Sequence, residues 1–299
     1  MVPQALFETL TSTLGAPVHT VERLGGGAIS DVARVGIGRE RYVVKWFAEA
    51  PKTPAGWPQP FAAEAYALEQ IAATNTVRVP HVVAQAGAQD NCPPYIVLEW
   101  IKEHTQANPR AAGEMLGQQL AALHRITAPA YGWEQHNYIG LAPQPNMWTT
   151  SWTQFWAEQR LGAQMNLLQQ AGRLSPTRAQ RLEALIQRLP AWIDNRVVQP
   201  SLLHGDLWGG NWLIDINNEP VLIDPAAYYG DREAELAMCH LFGGFPSRFF
   251  HAYDDAWPPA PGRDERIPLY QLYHLLNHLL GFGESYGAQV DAVLRRYGT

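Results

Sequence analysis

His204-Gly205-Asp206-Leu207-Trp208-Gly209-Gly210-Asn211, followed by Leu222-Ile223-Asp224-Pro225, is the stretch on which the reading of this chain turns. An amide comes five residues after the first carboxylate, and a second carboxylate comes thirteen beyond that. Leu202-Leu203 ends an apolar run in a turn, and residues 212–216 and 221–223 read as a hairpin around Asn217-Asn218-Glu219-Pro220. Asp206 then lies in the loop before one strand, Asn211 at that strand's start and Asp224 just past its partner, so all three converge at one end of the hairpin. Such a set suits phosphoryl transfer. A carboxylate orients a hydroxyl and takes its proton late, while an Asp and an Asn carbonyl supply oxygen ligands to the magnesium carried on ATP. A lone loop aspartate or asparagine can equally cap a turn. The ordered set argues against that for all three together. A metallophosphatase would need further His and Asp ligand motifs, which cannot be assembled from this sequence.

Upstream, residues 19–24, 31–36 and 41–47 read as three short strands, the first two joined by Gly25-Gly26-Gly27-Ala28-Ile29-Ser30. Three consecutive glycines let peptide N–H groups approach an anion, although a plain hairpin turn has the same composition. No Gly-Lys-Ser/Thr follows, so this is not a Walker-type loop. The chain has three lysines, Lys45, Lys52 and Lys102. Lys45 sits in Val43-Val44-Lys45-Trp46-Phe47, where it either points outward from an edge strand or faces a site. Phe61, Ala65, Leu68 and Ile71 recur at helical spacing, and Glu64 in the first turns of that helix is either a solvated surface residue or the partner that holds Lys45 on the α- and β-phosphates. Residues 50–60, with four prolines, form a loop between strand and helix. Residues 77–83 and 95–101 continue the strand pattern, and the lobe boundary falls around residues 100–108. An adenine could hydrogen-bond to exposed backbone at that crossing.

Asn108-Pro109 supplies a cap and a first helical residue, opening a helix with Leu116, Leu120 and Leu123 on one face. Ser175-Pro176 opens another with Leu182, Leu185, Ile186 and Leu189, and Leu269, Leu272, Tyr273, Leu276 and Leu280 repeat the pattern near the end. These stripes are core. Trp148, Trp152 and Trp156 at spacing i, i+4, i+8 would share one helix face, which favours packing over sugar stacking. Trp208 and Asp231-Arg232-Glu233 are read as lining the substrate side of an interlobe cleft, the indole covering a sugar face and the carboxylates drawing a protonated amine.

At 299 residues the chain exceeds the usual single core, so two lobes are expected. The formal charge of −6 argues against a nucleic-acid-binding surface. Cys92 and Cys239 offer neither zinc spacing nor a disulfide framework, which suits a reducing compartment. No signal peptide and no run of about 20 apolar residues is seen, so a cytoplasmic protein free of the membrane is expected.

With these motifs in place the chain resembles the fructosamine/ketosamine-3-kinase family, a branch of the protein-kinase-like and aminoglycoside-phosphotransferase-like fold. Its more restricted signals are His136-Asn137-Tyr138-Ile139-Gly140, Gln144-Pro145-Asn146, Trp152-Thr153-Gln154-Phe155-Trp156 leading to Arg160, Trp208 after His-Gly-Asp-Leu, and residues 224–233. The resemblance implies a bilobal α+β fold: an ATP-binding, antiparallel-sheet lobe over residues 1–103 with a hinge near 99–103, and a mainly helical catalytic and substrate-binding lobe over 104–299. It implies Asp206 as catalytic base, Asn211 and Asp224 as Mg2+ ligands, Lys45 on the phosphates of ATP with Glu64 as partner, Gly25, Gly26 and Gly27 over the nucleotide, and Glu99, Trp100 and Ile101 as the adenine-binding hinge. The implied reaction phosphorylates the 3-hydroxyl of a ketosamine, free or on a protein lysine, by a monomeric enzyme; the adduct then eliminates and frees the amine. Two departures stand out. Pro225 occupies the place of the kinase Asp-Phe-Gly phenylalanine, as expected in this branch, so switching through that ring is absent, and Ala28 stands where some relatives carry a redox-active cysteine. The competing readings are an aminoglycoside or amino-alcohol kinase and a nucleotide-binding pseudokinase.

Overall fold

Alternation of apolar side chains builds the first lobe. After a short helix α1 (Gln4–Leu14) come β1 (Val18–Arg23), β2 (Asp31–Ile37) and β3 (Glu40–Trp46), then helix α2 (Pro60–Ala73), β4 (Val82–Ala86) and β5 (Tyr95–Glu99). The structure, a computed structural model, describes residues 2–25, 29–88, 92–193 and 198–298. The five strands form one antiparallel sheet in the order β1-β2-β3-β5-β4. On one face Ala33, Val35, Val44, Trp46 and Val97 pack with Leu6 and Leu10 of α1. The pleat turns the intervening residues to the other face, so Lys45, aligned with Val32 on β2 and Ile96 on β5, faces away from α1. Strand β3 is central in the sheet, and Lys45 is buried there. It does not point outward from an edge.

The strand expected at 77–83 is displaced. Pro80 has no N–H for a ladder, and pairing starts at Val82. Val77 and Val79 instead enter the main core, and the Arg78 carbonyl accepts from the Leu222 N–H. The strand expected over 95–101 ends at Glu99.

The second lobe is mostly helical. Helix α3 (Pro109–His124) is capped by the Asn108 side chain, which accepts from the Arg110 and Ala111 N–H groups, worth about 1 kcal/mol. A small hairpin follows, β6 (Asn137–Ile139) and β7 (Ala142–Gln144). Helix α4 (Trp152–Phe155) then runs through a π-helical turn (Trp156–Gly162) into α5 (Ala163–Gln170), and Ser175 caps α6 (Pro176–Arg188). Two further ladders carry the decisive motif: β8 (Ser201–Leu203) pairs with β11 (Tyr228–Gly230), and β9 (Trp212–Ile214) with β10 (Pro220–Leu222). Strand β9 stops short of the expected residue 216, where the Asp215 carboxylate accepts from the Asn217 and Glu219 N–H groups in the turn, and β10 keeps its expected length but starts one residue earlier, at Pro220. The chain closes with α7 (Arg232–Phe242), α8 (Ser247–Ala256), α9 (Arg263–Phe282) and α10 (Gly287–Arg296). The tryptophan stripe is also corrected. Its helix starts at Trp152, so Trp152 and Trp156 are buried while Trp148 lies in the preceding loop, half exposed against the Tyr229 ring.

One apolar cluster joins Phe47, Phe61 and Leu68 of the first lobe to Trp152, Leu203 and Leu276 of the second. The lobes therefore share a packed floor beneath the cleft. No helix among the described residues is long and apolar enough to cross a membrane.

Candidate active site

Strand β3 and helix α2 bring Lys45 and Glu64 together, the Lys45 Nζ donating to Glu64 Oε1 at 2.6 Å. The same nitrogen donates to Asp224 Oδ1 at 2.5 Å. Burial works against the Lys45 charge, but Asp224 and Glu64 more than offset it and hold its pKa above the ordinary lysine value. Burial raises the Glu64 carboxyl, with Lys45 opposing.

Asp206 and Asp224 are neighbours because β8 and β11 are. Leu203 lies opposite Tyr228, so the loop leaving β8 runs beside the one entering β11, and the Ala226 N–H donates to the His204 carbonyl at 2.8 Å. Gly205 sits at φ +87°, and a Cβ there would lie 2.1 Å from the Ala226 carbonyl oxygen, so this crossing requires glycine. Asp224 adopts the left-handed conformation at φ +58°, one that aspartate tolerates better than most residues, and keeps its carboxylate partly open to the cleft. Asn211 pairs across to Ile223 and donates through Nδ2 to the Asp206 carbonyl at 2.8 Å and to its Oδ2 at 3.3 Å. Burial, and next the Asp224 charge, push the Asp206 carboxyl well above its usual range, with Asn211 opposing.

Below this loop lies Glu235 of α7, whose role sequence reasoning missed. Its carboxylate accepts from the His204 N–H at 2.8 Å, the Gly205 N–H at 2.6 Å and His124 Nε2 at 3.0 Å, fixing the backbone that carries Asp206. A charged residue inside Ala234-Glu235-Leu236-Ala237 was the available signal.

These groups open into a cavity of about 210 Å³ between the lobes, lined by Lys45, Glu64, Asp206, Asn211, Asp224 and Trp208, with Ile29 and Tyr138 on its walls. Among the described residues no group of three or more His, Cys, Asp or Glu could by itself cage a metal. The donors do fit magnesium brought in on phosphates, which needs few protein ligands. Asp224 offers carboxylate oxygens, and Asn211 spends its NH2 on Asp206, which leaves its amide oxygen for a cation.

A sequence profile of the family described as fructosamine kinase matches residues 2–298. The chain belongs to the fructosamine kinase family. It is 40% identical over 296 residues to a Synechocystis protein named a probable ketoamine kinase, spanning 98% of this chain and 96% of the relative. It is 35% identical over 290 residues to the chloroplastic protein-ribulosamine 3-kinase of Arabidopsis thaliana, covering 96% and 85% of the two chains. The crystal structure of a candidate fructosamine-3-kinase from Thermobifida fusca superposes with a TM-score of 0.83 at 32% identity, covering 98% of each chain.

Within this family frame the other residues singled out in the sequence fall in three places. Trp208 lies on the cavity, 41% exposed, and the absence of a side chain at Gly210 lets its indole fold against the backbone, where a Cβ would come within 2.4 Å of the ring. Asp231, Arg232 and Glu233 do not line this cavity. Asp231 caps α7 through the Glu233 N–H and accepts from Tyr270, Arg232 donates to the Trp257 and Pro258 carbonyls, and Glu233 forms a two-pronged pair with Arg266. They border a separate pocket together with Ser201 at the start of β8, Trp257 and Arg266. Their charges are spent on the fold, because the helix start needs a cap and buried charges need partners.

Glu99, Trp100 and Ile101 lie where the chain crosses between the lobes and do not line the cavity either. Glu99 accepts from Arg78, which also pairs with Asp215, the Arg34 guanidinium lies 5.0 Å over the Trp100 ring, and Ile101 is buried. Gly25 is exposed ahead of the cavity, while Gly26 and Gly27 fall outside the described residues.

Proposed function

We propose that this protein transfers the γ-phosphoryl group of ATP to the 3-hydroxyl of a ketosamine, an adduct of a sugar and an amine, which then eliminates and releases the amine. The observation that carries the reading is the meeting of Lys45, Glu64, Asp206, Asn211 and Asp224 on one cavity whose wall is an exposed indole. Asn211 and Asp224 would hold magnesium, which when bound neutralises charge on the phosphates. Lys45, fixed by Glu64, is aimed to contact the phosphates. Asp206, held by Asn211 and by the loop that Glu235 supports, accepts a hydrogen bond from the acceptor hydroxyl and takes its proton late in transfer. Trp208 covers one face of the sugar moiety and excludes water there. The substrate class rests on family membership and on the named relatives together.

An ATP-consumption panel with ribulosamine, erythrulosamine, fructosamine and an aminoglycoside, followed by mapping of the phosphate, tests this. Turnover of a ketosamine with phosphate on O3 is expected, and Asp206→Asn should slow the chemical step by about 10²–10⁴ with ATP affinity nearly intact. Turnover of the aminoglycoside alone, or an undiminished step in Asp206→Asn, would overturn it.

A further inference from the structure

The hairpin of Asn137-Tyr138-Ile139-Gly140 and its return strand lines the cavity but supplies none of the reacting groups named above, and its buried side chains converge on the catalytic segment. Asn137, Gln144 and Asn146 are almost wholly buried. Gln144 Nε2 and Asn146 Nδ2 both donate to Asn137 Oδ1 at 2.8 Å. Asn137 Nδ2 donates in turn to the Ala227 carbonyl at 2.8 Å, and Gln144 Nε2 reaches the Ala226 carbonyl at 3.1 Å. From behind, the Tyr273 hydroxyl donates to Gln144 Oε1 at 2.7 Å, and Arg160 donates to Asn146 Oδ1 at 2.8 Å and to the Pro145 carbonyl at 2.7 Å. Arg160 is fully buried and is carried on the π-helical turn, a rare geometry that concentrates at functional sites.

The two carbonyls that receive these bonds lie two and three residues after Asp224. They need an anchor. Asp224 itself is in a left-handed conformation, which persists where the surroundings over-determine it. The Ala226 peptide is also the one that crosses Gly205 and bonds His204. One amide cluster therefore ties the loop carrying Asp224 to the loop carrying Asp206. Pro225 adds a fixed φ at the intervening position.

We propose that Asn137, backed by Gln144 and Tyr273, is a positioning residue for Asp224. Its amide braces the Ala226–Ala227 backbone and so sets where the Asp224 carboxylate meets the cation and Lys45. Asn137 borders the cavity, but the brace acts through its amide bond to the Ala227 carbonyl. It rests on the reading of Asp224 as a magnesium ligand, and it gives the 136–146 and Arg160 motifs a shared purpose.

The test uses Asn137→Ala and, as a milder variant that keeps the ring packing, Tyr273→Phe. Asn108→Ala, which removes the cap of α3, serves as a control for general loss of stability. In ligand-free protein, hydrogen–deuterium exchange in peptides covering residues 222–228 should quicken by roughly tenfold in Asn137→Ala while peptides from β2 and β3 keep the wild-type rate. The magnesium concentration giving half-maximal rate should rise by about three- to tenfold, the size expected for the one hydrogen bond lost from the Ala227 carbonyl, with a smaller rise in Tyr273→Phe and none in Asn108→Ala. Wild-type exchange at 222–228 in both variants, or equal shifts in Asn108→Ala, would overturn the brace. Asp224→Ala separates the two claims: an unchanged magnesium dependence there refutes the ligand assignment itself, whereas a lost dependence with no effect of Asn137→Ala or Tyr273→Phe refutes the brace alone.

Discussion

Replacing Glu235 by Gln perturbs the site without touching a group that meets substrate. Three N–H donors converge on this buried carboxylate, two of them from the His204 and Gly205 backbone. A glutamine offers one oxygen. If it faces Gly205, its NH2 opposes the His204 N–H, and a buried donor is left without an acceptor at a cost of about 1–3 kcal/mol. His124 can adapt by exchanging tautomers, since its other nitrogen faces the Tyr253 hydroxyl. Glu235→Ala orphans both backbone donors, and the same per-group cost gives about 2–6 kcal/mol. Urea unfolding at pH 7 measures the difference. The pH dependence adds a sign. Burial raises the Glu235 pKa, but His124 and the Gly205 N–H more than reverse this, so its folded value is lowered. Its contribution is therefore full above the unfolded carboxyl range and is lost as pH falls through the lowered folded value. The gap between wild type and Glu235→Gln should narrow on that acid limb. A variant within about 0.5 kcal/mol of wild type at pH 7 would refute the argument, as would a gap that widens toward acid.

Lys45→Met should cost far more kcat/KM for ATP than Lys52→Met or Lys102→Met, because Lys45 is buried between two carboxylates and the other two are exposed; equal losses would sink the assignment. Trp208→Ala should lower kcat/KM for the ketosamine more than for ATP, with unfolding stability changed by less than about 0.5 kcal/mol, and parallel losses would make Trp208 a packing residue. Glu233→Gln breaks its buried pair with Arg266 and should cost about 3 kcal/mol of stability while leaving the ketosamine KM unchanged; a raised KM with intact stability would put Glu233 back in the substrate site.

What the sequence made legible was local. Asp206, Asn211 and Asp224 lie on two adjoining turns, so strand pattern alone places them together. Lys45 needed one long-range fact, the central position of β3, before its inward direction followed from the pleat. Asp231, Arg232 and Glu233 were misplaced because the groups that satisfy them, Tyr270, Trp257 and Arg266, come 25 to 39 residues later in the chain. Gln144 and Asn137 are linked to Ala226 and Ala227 across more than 80 residues, which no periodicity encodes. The tryptophan stripe held for Trp152 and Trp156, which pack together, and failed at Trp148 for a different reason. Spacing cannot show where a helix starts, and Ser151 caps α4 after Trp148 has passed.

The charge around the cavity bears on the kind of acceptor it suits. Among the described lining residues one ammonium, Lys45, stands among three carboxyls, Glu64, Asp206 and Asp224. The crowding is visible in the raised Glu64 and Asp206 carboxyls, where burial is reinforced by the Asp224 charge. Lys45 already serves two of the three. A divalent cation entering with the nucleotide would take over Asp224 and free Lys45 for the phosphates, and by offsetting the Asp224 charge that raises the Asp206 carboxyl it would favour a negative Asp206, and so a negative field, on the acceptor side. A low-dielectric cleft concentrates that field. A neutral sugar gains little from it. An adduct whose protonated amine sits near the hydroxyl to be phosphorylated gains both attraction and orientation, and a ketosamine joins those two groups within one small molecule.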